Sequence, residues 1–198
     1  MKDPREQFAI VAAAYAARRP SYPEELFDYL ATLCARHELV WDCAAGSGQA
    51  SVPLGRRFRR VIATDSSAAM LSEAPPCSTV FYAASTAESA AIRSGSADLV
   101  TVAQALHWID PAPFYREVHR ILASSGVLAV WTYGMQRLDE PELDQVLSTF
   151  YHEIVGPYWA PERRHVESGY HTLPFPYPEL PTPVLEMRHW WSLDDLLG

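Results

Sequence analysis

A run of small residues follows the first apolar segment that ends in an acid. The stretch is Val40-Trp41-Asp42-Cys43-Ala44-Ala45-Gly46-Ser47-Gly48, with Gly46 and Gly48 two positions apart. Glycine adopts the positive φ values that tight turns need, and it lets a ligand approach the backbone closely. A predicted helix opens at Gln49, and the N–H groups at a helix start favour an anionic or polar ligand. The pattern predicts a ligand site built from a strand, a turn and a helix.

A second acid favours this interpretation over an ordinary strand-to-helix turn. Asp65 ends the next predicted strand, which begins at Arg60. Nucleotide-binding α/β folds place a ribose-binding acid roughly 20 residues beyond the glycine turn. A carboxylate can accept both hydrogen atoms of a vicinal diol. The sequence therefore predicts an adenosine-containing cofactor across the ends of two parallel strands.

The form Asp42-x-Ala44-x-Gly46-x-Gly48 resembles motif I of class I S-adenosylmethionine-dependent methyltransferases, which is usually Asp-x-Gly-x-Gly-x-Gly. Ala44 departs from the first glycine of that motif. The best subgroup match is the trans-aconitate methyltransferase-like family, from about Phe8 to the C-terminus. The resemblance implies S-adenosylmethionine as cofactor. It also implies a Rossmann-like, doubly wound α/β fold with a mostly parallel sheet and helices on both faces, apparently lacking the last strand.

The resemblance further implies which positions bind the cofactor. Arg19 is of particular interest because a guanidinium can pair with the methionine carboxylate. Core packing is the alternative for Met70, and a solvated helix start is the alternative for Glu88. The expected cofactor-binding residues are Tyr15, Arg19, Asp42, Ala44, Gly46, Ser47, Gly48, Asp65, Ser66, Met70, Ala87, Glu88, Gln104 and Ala105.

The apolar, β-branched run from Ala97 to Ala103 is typical of a central parallel strand buried on both faces. It leads into an Ala-x-His-Trp sequence that resembles the subgroup signature, and ligands bind beyond the ends of such strands. His107 is the candidate general base, because its unperturbed pKa lies near neutrality. A structural histidine is the alternative. Trp108 either covers the ligands or fills the core.

We expect one domain over residues 1–198, with four parts. These are N-terminal lid helices (1–36), a cofactor-binding core (37–133), a substrate-side insertion rich in proline and aromatic residues (134–181), and a C-terminal strand and truncated helix (182–198). A sixth strand is expected from Thr182 to Trp191. The expected substrate contacts are Trp108, Tyr133, Tyr158 and Trp159.

Bulk properties exclude several classes of protein. The chain has 198 residues, 48% hydrophobic and 20% charged, which suits one globular domain. Its net charge of −8 argues against a nucleic-acid partner, and no apolar run is long enough to span a membrane. The three cysteines lack CxxC spacing. They support neither disulfides nor a metal site, and they indicate a cytoplasmic protein.

The sequence thus predicts methyl transfer from S-adenosylmethionine to a small molecule, with a carboxylate or hydroxyl oxygen favoured. A nicotinamide-dependent oxidoreductase is one alternative, although the chain lacks G-x-G-x-x-G. A cofactor-binding protein without catalytic activity is the other. A homodimer formed through the C-terminal segment is also expected. An open strand edge and uncovered apolar residues near Trp190 and Trp191 would favour association.

Overall fold

A computed structural model describes residues 21–193 of the protein. Five parallel strands form one sheet in the order β3-β2-β1-β4-β5. The chain moves outward from β1 to β3, then crosses back to place β4 on the other side of β1. The predicted doubly wound α/β fold is confirmed. The strands are β1 Val40–Cys43, β2 Val61–Asp65, β3 Val80–Ala84, β4 Ala97–Ala103 and β5 Leu122–Trp131.

Short helices connect the strands and fill the insertion. The α-helices are α1 Glu24–Thr32, α2 Ser51–Gly55, α3 Ala68–Ser72, α4 Pro111–Ile121, α5 Pro141–Thr149 and α6 Arg163–Glu167. A 3₁₀ turn, Leu106–Trp108, follows β4. After α5 the chain stays helical through a π-helical segment, Phe150–Val155, and a second 3₁₀ turn, Gly156–Tyr158.

Two hydrophobic clusters sandwich the sheet because successive strand residues point to opposite faces. On one face, Val40 packs in a cluster with Phe27 of α1 and Leu54 of α2. On the other, Trp41 packs with Phe114 of α4. All five side chains are fully buried, and full burial of such a side chain contributes about 1.5–3 kcal/mol. This packing holds the carboxyl ends of the strands in fixed positions.

The predicted sixth strand is wrong, since residues 182–191 pair with no strand in the structure. Pro181 and Pro183 have no N–H group to donate to a sheet. Just before the segment, the Tyr29 hydroxyl donates a 2.5 Å hydrogen bond to the Pro181 carbonyl. Within it, Met187 packs against the cluster that contains Val40. The predicted lid helix that contains Tyr15 and Arg19 lies outside the described residues, as does the helix predicted to continue beyond Leu193.

Candidate active site

The turn after β1 alternates between ordinary and left-handed backbone. Ala44, Gly46 and Gly48 have φ values of 56°, 57° and 81°. These are the three positions where the resembling motif carries glycine, so the motif is explained by its backbone conformation. An L-residue with a side chain costs roughly 1–2 kcal/mol in this conformation. Ala44 therefore keeps the turn geometry of the motif at an energetic cost.

The end of β2 fixes this turn in place. The Ala45 N–H donates to the Thr64 carbonyl at 2.9 Å. The Gly46 N–H donates to Asp65 Oδ2 at 2.9 Å, and the Ser67 N–H donates to Asp65 Oδ1 at 2.8 Å. Asp65 is half-buried, and a carboxylate has about four acceptor positions. One acceptor position thus remains on each oxygen, which is what a vicinal diol requires.

Asp42 supports the turn from beneath. Its carboxylate has no exposed surface and accepts hydrogen bonds from Ser51 Oγ at 2.5 Å and Thr101 Oγ1 at 2.7 Å. Burial raises the pKa of Asp42 to about 6, although the two hydroxyl donors oppose the shift. The Asp42 carboxylate thus joins β1, β4 and α2, and its predicted contact with the cofactor remains a prediction.

Ser47 carries a buried hydroxyl without a partner among the residues that the structure describes. Its side chain is 5% exposed, and an unsatisfied buried polar group costs about 1–3 kcal/mol. A polar ligand seated on the turn can satisfy it. Met70 is buried below the same turn, with its Cε 3.5 Å from the position of a Cβ added to Gly46. Ser66 lies beyond β2 and is exposed.

Gln104 ties the end of β4 to the end of β5. Its backbone is left-handed, with φ of 57°. Its Nε2 donates to the Tyr133 carbonyl at 2.9 Å, and its Oε1 accepts from Thr132 Oγ1 at 2.9 Å. The amide is thus engaged with the two residues that follow β5, and the Gln104 N–H donates to the Trp131 carbonyl at 3.0 Å. The cofactor contacts of Gln104 and Ala105 remain predictions.

His107 lies in the 3₁₀ turn directly after this loop and is half-buried. Its Nδ1 is 2.9 Å from the Tyr170 hydroxyl, and its ring centroid is 4.6 Å from that of Trp108. Tyr170 follows α6, 63 residues further along the chain. Sequence reasoning missed Tyr170, since no local motif surrounds it. The structure therefore brings the insertion to the candidate base.

Acidic groups converge on the end of β1. Burial, followed by the charges of Asp42, Asp65 and Glu88, raises the pKa of the Cys43 thiol. Glu88 and Ala87 are half-buried in the loop after β3. Their predicted contacts with the cofactor therefore remain compatible with their location.

The predicted substrate residues separate into two groups. Tyr133 belongs to an aromatic group at the end of β5, with its ring centroid 6.2 Å from that of Tyr22. The Trp131 Nε1 in this group is buried and has no partner within residues 21–193. Tyr158, in contrast, is 84% exposed, and Trp159 packs over the Arg163 guanidinium at 5.1 Å. The helical run carries the Tyr158 ring into solvent, and its predicted contact with the substrate remains a prediction.

Residues 21–193 contain no cluster of three or more His, Cys, Asp or Glu side chains arranged to hold a metal ion. Within the same residues, no helix has both the length and the apolar character needed to cross a bilayer.

Comparison with known proteins agrees with this geometry. Residues 41–130 match the methyltransferase domain family. A methyltransferase-family protein of Dictyostelium discoideum is 33% identical over 196 residues, which cover 98% of this chain and 74% of the relative. The chain belongs to the S-adenosylmethionine-dependent methyltransferases.

Two further relatives support the assignment of this chain to the methyltransferases. A solved structure from Anaeromyxobacter dehalogenans, named as a type II methyltransferase, has a TM-score of 0.85 at 42% identity, covering 91% of this chain and 76% of that one. The Saccharomyces cerevisiae protein CRG1, named as an S-adenosylmethionine-dependent methyltransferase, is 30% identical over 175 residues, or 80% of this chain and 59% of its own length. These matches favour neither an oxidoreductase nor a protein without activity. None of the three names specifies an acceptor.

Proposed function

We propose that this methyltransferase methylates an oxygen of a small molecule, either a carboxylate or a hydroxyl, and that His107 is the general base when the acceptor carries a proton. The main support is the location of His107 directly after β4, with its ring held by Tyr170 at 2.9 Å. Ligands of open α/β sheets bind beyond these strand ends.

The residues of the turn fit S-adenosylmethionine. Asp65 has an acceptor position left on each carboxylate oxygen for the ribose diol, and Ser47 offers a buried hydroxyl without a partner within residues 21–193. When bound, S-adenosylmethionine supplies a methyl group that is already activated on its sulfonium. Tyr15 and Arg19 remain proposed contacts to the cofactor, outside the described residues.

The protein has two tasks in this reaction. It holds the acceptor oxygen in line with the methyl group, which is catalysis by proximity and orientation. It also removes the proton from a hydroxyl acceptor, a role that contributes typically 10²–10⁴-fold to the rate. A carboxylate acceptor is already deprotonated near neutral pH and needs no base. We place Trp108 and Tyr133 on the substrate side, where their rings would exclude water.

The acceptor class and the subgroup are proposed from the sequence, and the role of the insertion is proposed from one contact in the structure. The net charge of −8 favours a small-molecule acceptor over nucleic acid. The Ala105-x-His107-Trp108 signature supports the trans-aconitate methyltransferase-like subgroup. The insertion, residues 134–181, supports a substrate-side role, because it delivers Tyr170 to His107.

An acceptor screen tests the proposal. The protein is incubated with methyl-labelled S-adenosylmethionine and a panel of small carboxylates, alcohols and amines, and labelled products are identified by mass spectrometry. With a hydroxyl acceptor, we expect His107→Gln to lower the rate about 10²–10⁴-fold. With a carboxylate acceptor, we expect little change. His119→Gln, at an exposed position of α4, is the control. Methylation of amines alone would refute the proposed acceptor class.

A further inference from the structure

Tyr170 reaches His107 from a strained turn. Its φ of 67° is an outlier for a bulky side chain. The turn is held by the Tyr170 N–H, which donates to the His165 carbonyl at 2.8 Å, and by the Leu173 N–H, which donates to the Tyr170 carbonyl at 2.9 Å. Such strain persists only where the surroundings enforce it, and it clusters at functional sites. Here it presents the phenol to Nδ1 of His107, with ring centroids 5.7 Å apart.

We propose that Tyr170 is a positioning residue whose hydroxyl accepts a hydrogen bond from Nδ1–H of His107, so that Nε2 takes the proton from the methyl acceptor. The inference rests on the proposed function, because it assumes that His107 is the base. In the step, the proton leaves the acceptor O–H for Nε2. The oxygen lone pair forms the bond to the methyl carbon as the C–S bond breaks. The electron pair of the C–S bond passes to sulfur.

The 2.9 Å contact is compatible with either direction of donation, and the proposed base role selects one of them. Neutral imidazole has one N–H and one unprotonated nitrogen, whereas imidazolium donates from both. A phenol oxygen that accepts from Nδ1–H serves the ring before and after proton transfer. A phenol that donated to Nδ1 would fix the other tautomer, in which Nε2 already carries a proton. The partner of one ring nitrogen thus determines the function of the other.

Within residues 21–193, the ionisable side chains of the helix packed against this contact have partners of their own or are exposed. The Trp108 ring, which carries no charge, packs against His107 at 4.6 Å. Among the ionisable residues of α6, which packs against the 3₁₀ turn, Arg163 and Glu167 bind the Tyr151 hydroxyl, His165 binds Thr172, and Arg164 is exposed. Tyr170→Phe therefore removes the hydroxyl that lies 2.9 Å from Nδ1 of His107 and leaves these side chains in place.

The test compares two tyrosine substitutions. Tyr170→Phe keeps the ring and removes the hydroxyl next to His107. Tyr115→Phe is the matched control, because it removes a hydroxyl that donates to the Pro174 carbonyl at 2.7 Å and so loosens the segment after Tyr170. Nitrogen-15 NMR titration of the protein reports the tautomer and pKa of each histidine ring. Among the seven histidines, His107 is assigned by the loss of its signals in His107→Gln.

We expect wild-type His107 to carry its proton on Nδ1 when neutral. In Tyr170→Phe we expect mixed tautomers and a His107 pKa lower by about half a unit, because imidazolium loses an acceptor. Tyr115→Phe should match wild type. A wild-type ring protonated on Nε2 would overturn the inference without any variant, as would unchanged His107 signals in Tyr170→Phe. If His107→Gln keeps full activity on hydroxyl acceptors, the base role in the proposed function is wrong instead, whatever the NMR signals show.

Discussion

Thr101 donates a 2.7 Å hydrogen bond to the carboxylate of Asp42, its register partner in the neighbouring strand. The two strands, β1 and β4, are those between which the strand order reverses. The glycine turn leaves the sheet from one of them and the His107 loop from the other. This hydrogen bond therefore joins the strand that carries the glycine turn to the strand that carries the His107 loop.

Removing the Thr101 hydroxyl should destabilise the protein in a pH-dependent way. Burial raises the folded-state pKa of Asp42 from 3.8 to about 6. Asp42 thus contributes stability at low pH that is lost as the pH rises toward 6. Thr101 opposes this shift, so Thr101→Val raises the pKa further. We expect a cost of roughly 1–3 kcal/mol when Asp42 is ionised, and a smaller one when it is protonated.

Urea unfolding between pH 4 and pH 8 measures this effect. Thr64→Val is the matched control, since it removes an uncharged hydrogen bond from Trp41 Nε1 to the Thr64 hydroxyl at 2.8 Å. Its cost should not depend on the ionisation of a bonded partner. Parallel pH profiles for the two variants would contradict the assignment.

Asp65→Ala should weaken S-adenosylmethionine binding. Losing a hydrogen-bonding carboxylate costs about 1.5–3 kcal/mol, which corresponds to roughly tenfold or more in affinity. Calorimetry gives the affinity directly. Asp98→Ala is a suitable control, because Asp98 also accepts two backbone hydrogen bonds, from Glu38 and Leu39, but at the amino end of β4, away from the turn. Equal affinities for the two variants would rule out the ribose contact.

Gly46→Val should abolish cofactor binding and leave a folded protein. Gly46 has a φ of 57°, and a Cβ there would meet Met70 at only ordinary contact distance within the protein. The side chain would instead occupy the ligand side of the turn. Gly95→Val carries similar backbone strain, with φ of 64° and open space around its Cβ. Circular dichroism should show both variants folded. Normal binding by the Gly46 variant would show that this turn is not the cofactor cradle.

Ala44→Gly should stabilise the protein. Glycine relieves a left-handed strain of roughly 1–2 kcal/mol but increases the entropy of the unfolded chain, which costs about 0.4–1 kcal/mol. A net gain of about 1 kcal/mol or less is expected, seen as a higher Tm. At neighbouring Ala45, which is not left-handed, glycine should lower Tm. A lower Tm for both would contradict the strain at Ala44.

We predict self-association through the C-terminal segment, based on its exposed apolar side chains and not on an open strand edge. Residues 182–193 contain no strand to be exchanged, but Val184 is 94% exposed and Trp190 is 99% exposed, and uncovered apolar surface favours association. Light scattering should show a dimer for the 198-residue chain and a monomer for one shortened before Pro181. A monomer in the first sample, or an unchanged dimer in the second, would contradict this prediction.

The sequence predicted local features well and distant partnerships poorly. The bounds of β4 were predicted as observed, since a strand buried on both faces is a continuous apolar run. Thr101, a polar residue within that run, was the available signal for a buried hydrogen bond. Its partner Asp42 lies 59 residues away, so the burial of that carboxylate could not be inferred. The β-branched and aromatic residues near Trp190 suggested a strand, but propensity does not specify a pairing partner.

The Gln104 amide has a thermodynamic consequence. Since it bonds to both Thr132 and Tyr133, a ligand that shifted the loop after β4 would also displace the two residues that follow β5. The cofactor and the acceptor would then bind with heterotropic cooperativity. If the cofactor changes the affinity of the acceptor by some factor, the acceptor must change the affinity of the cofactor by the same factor.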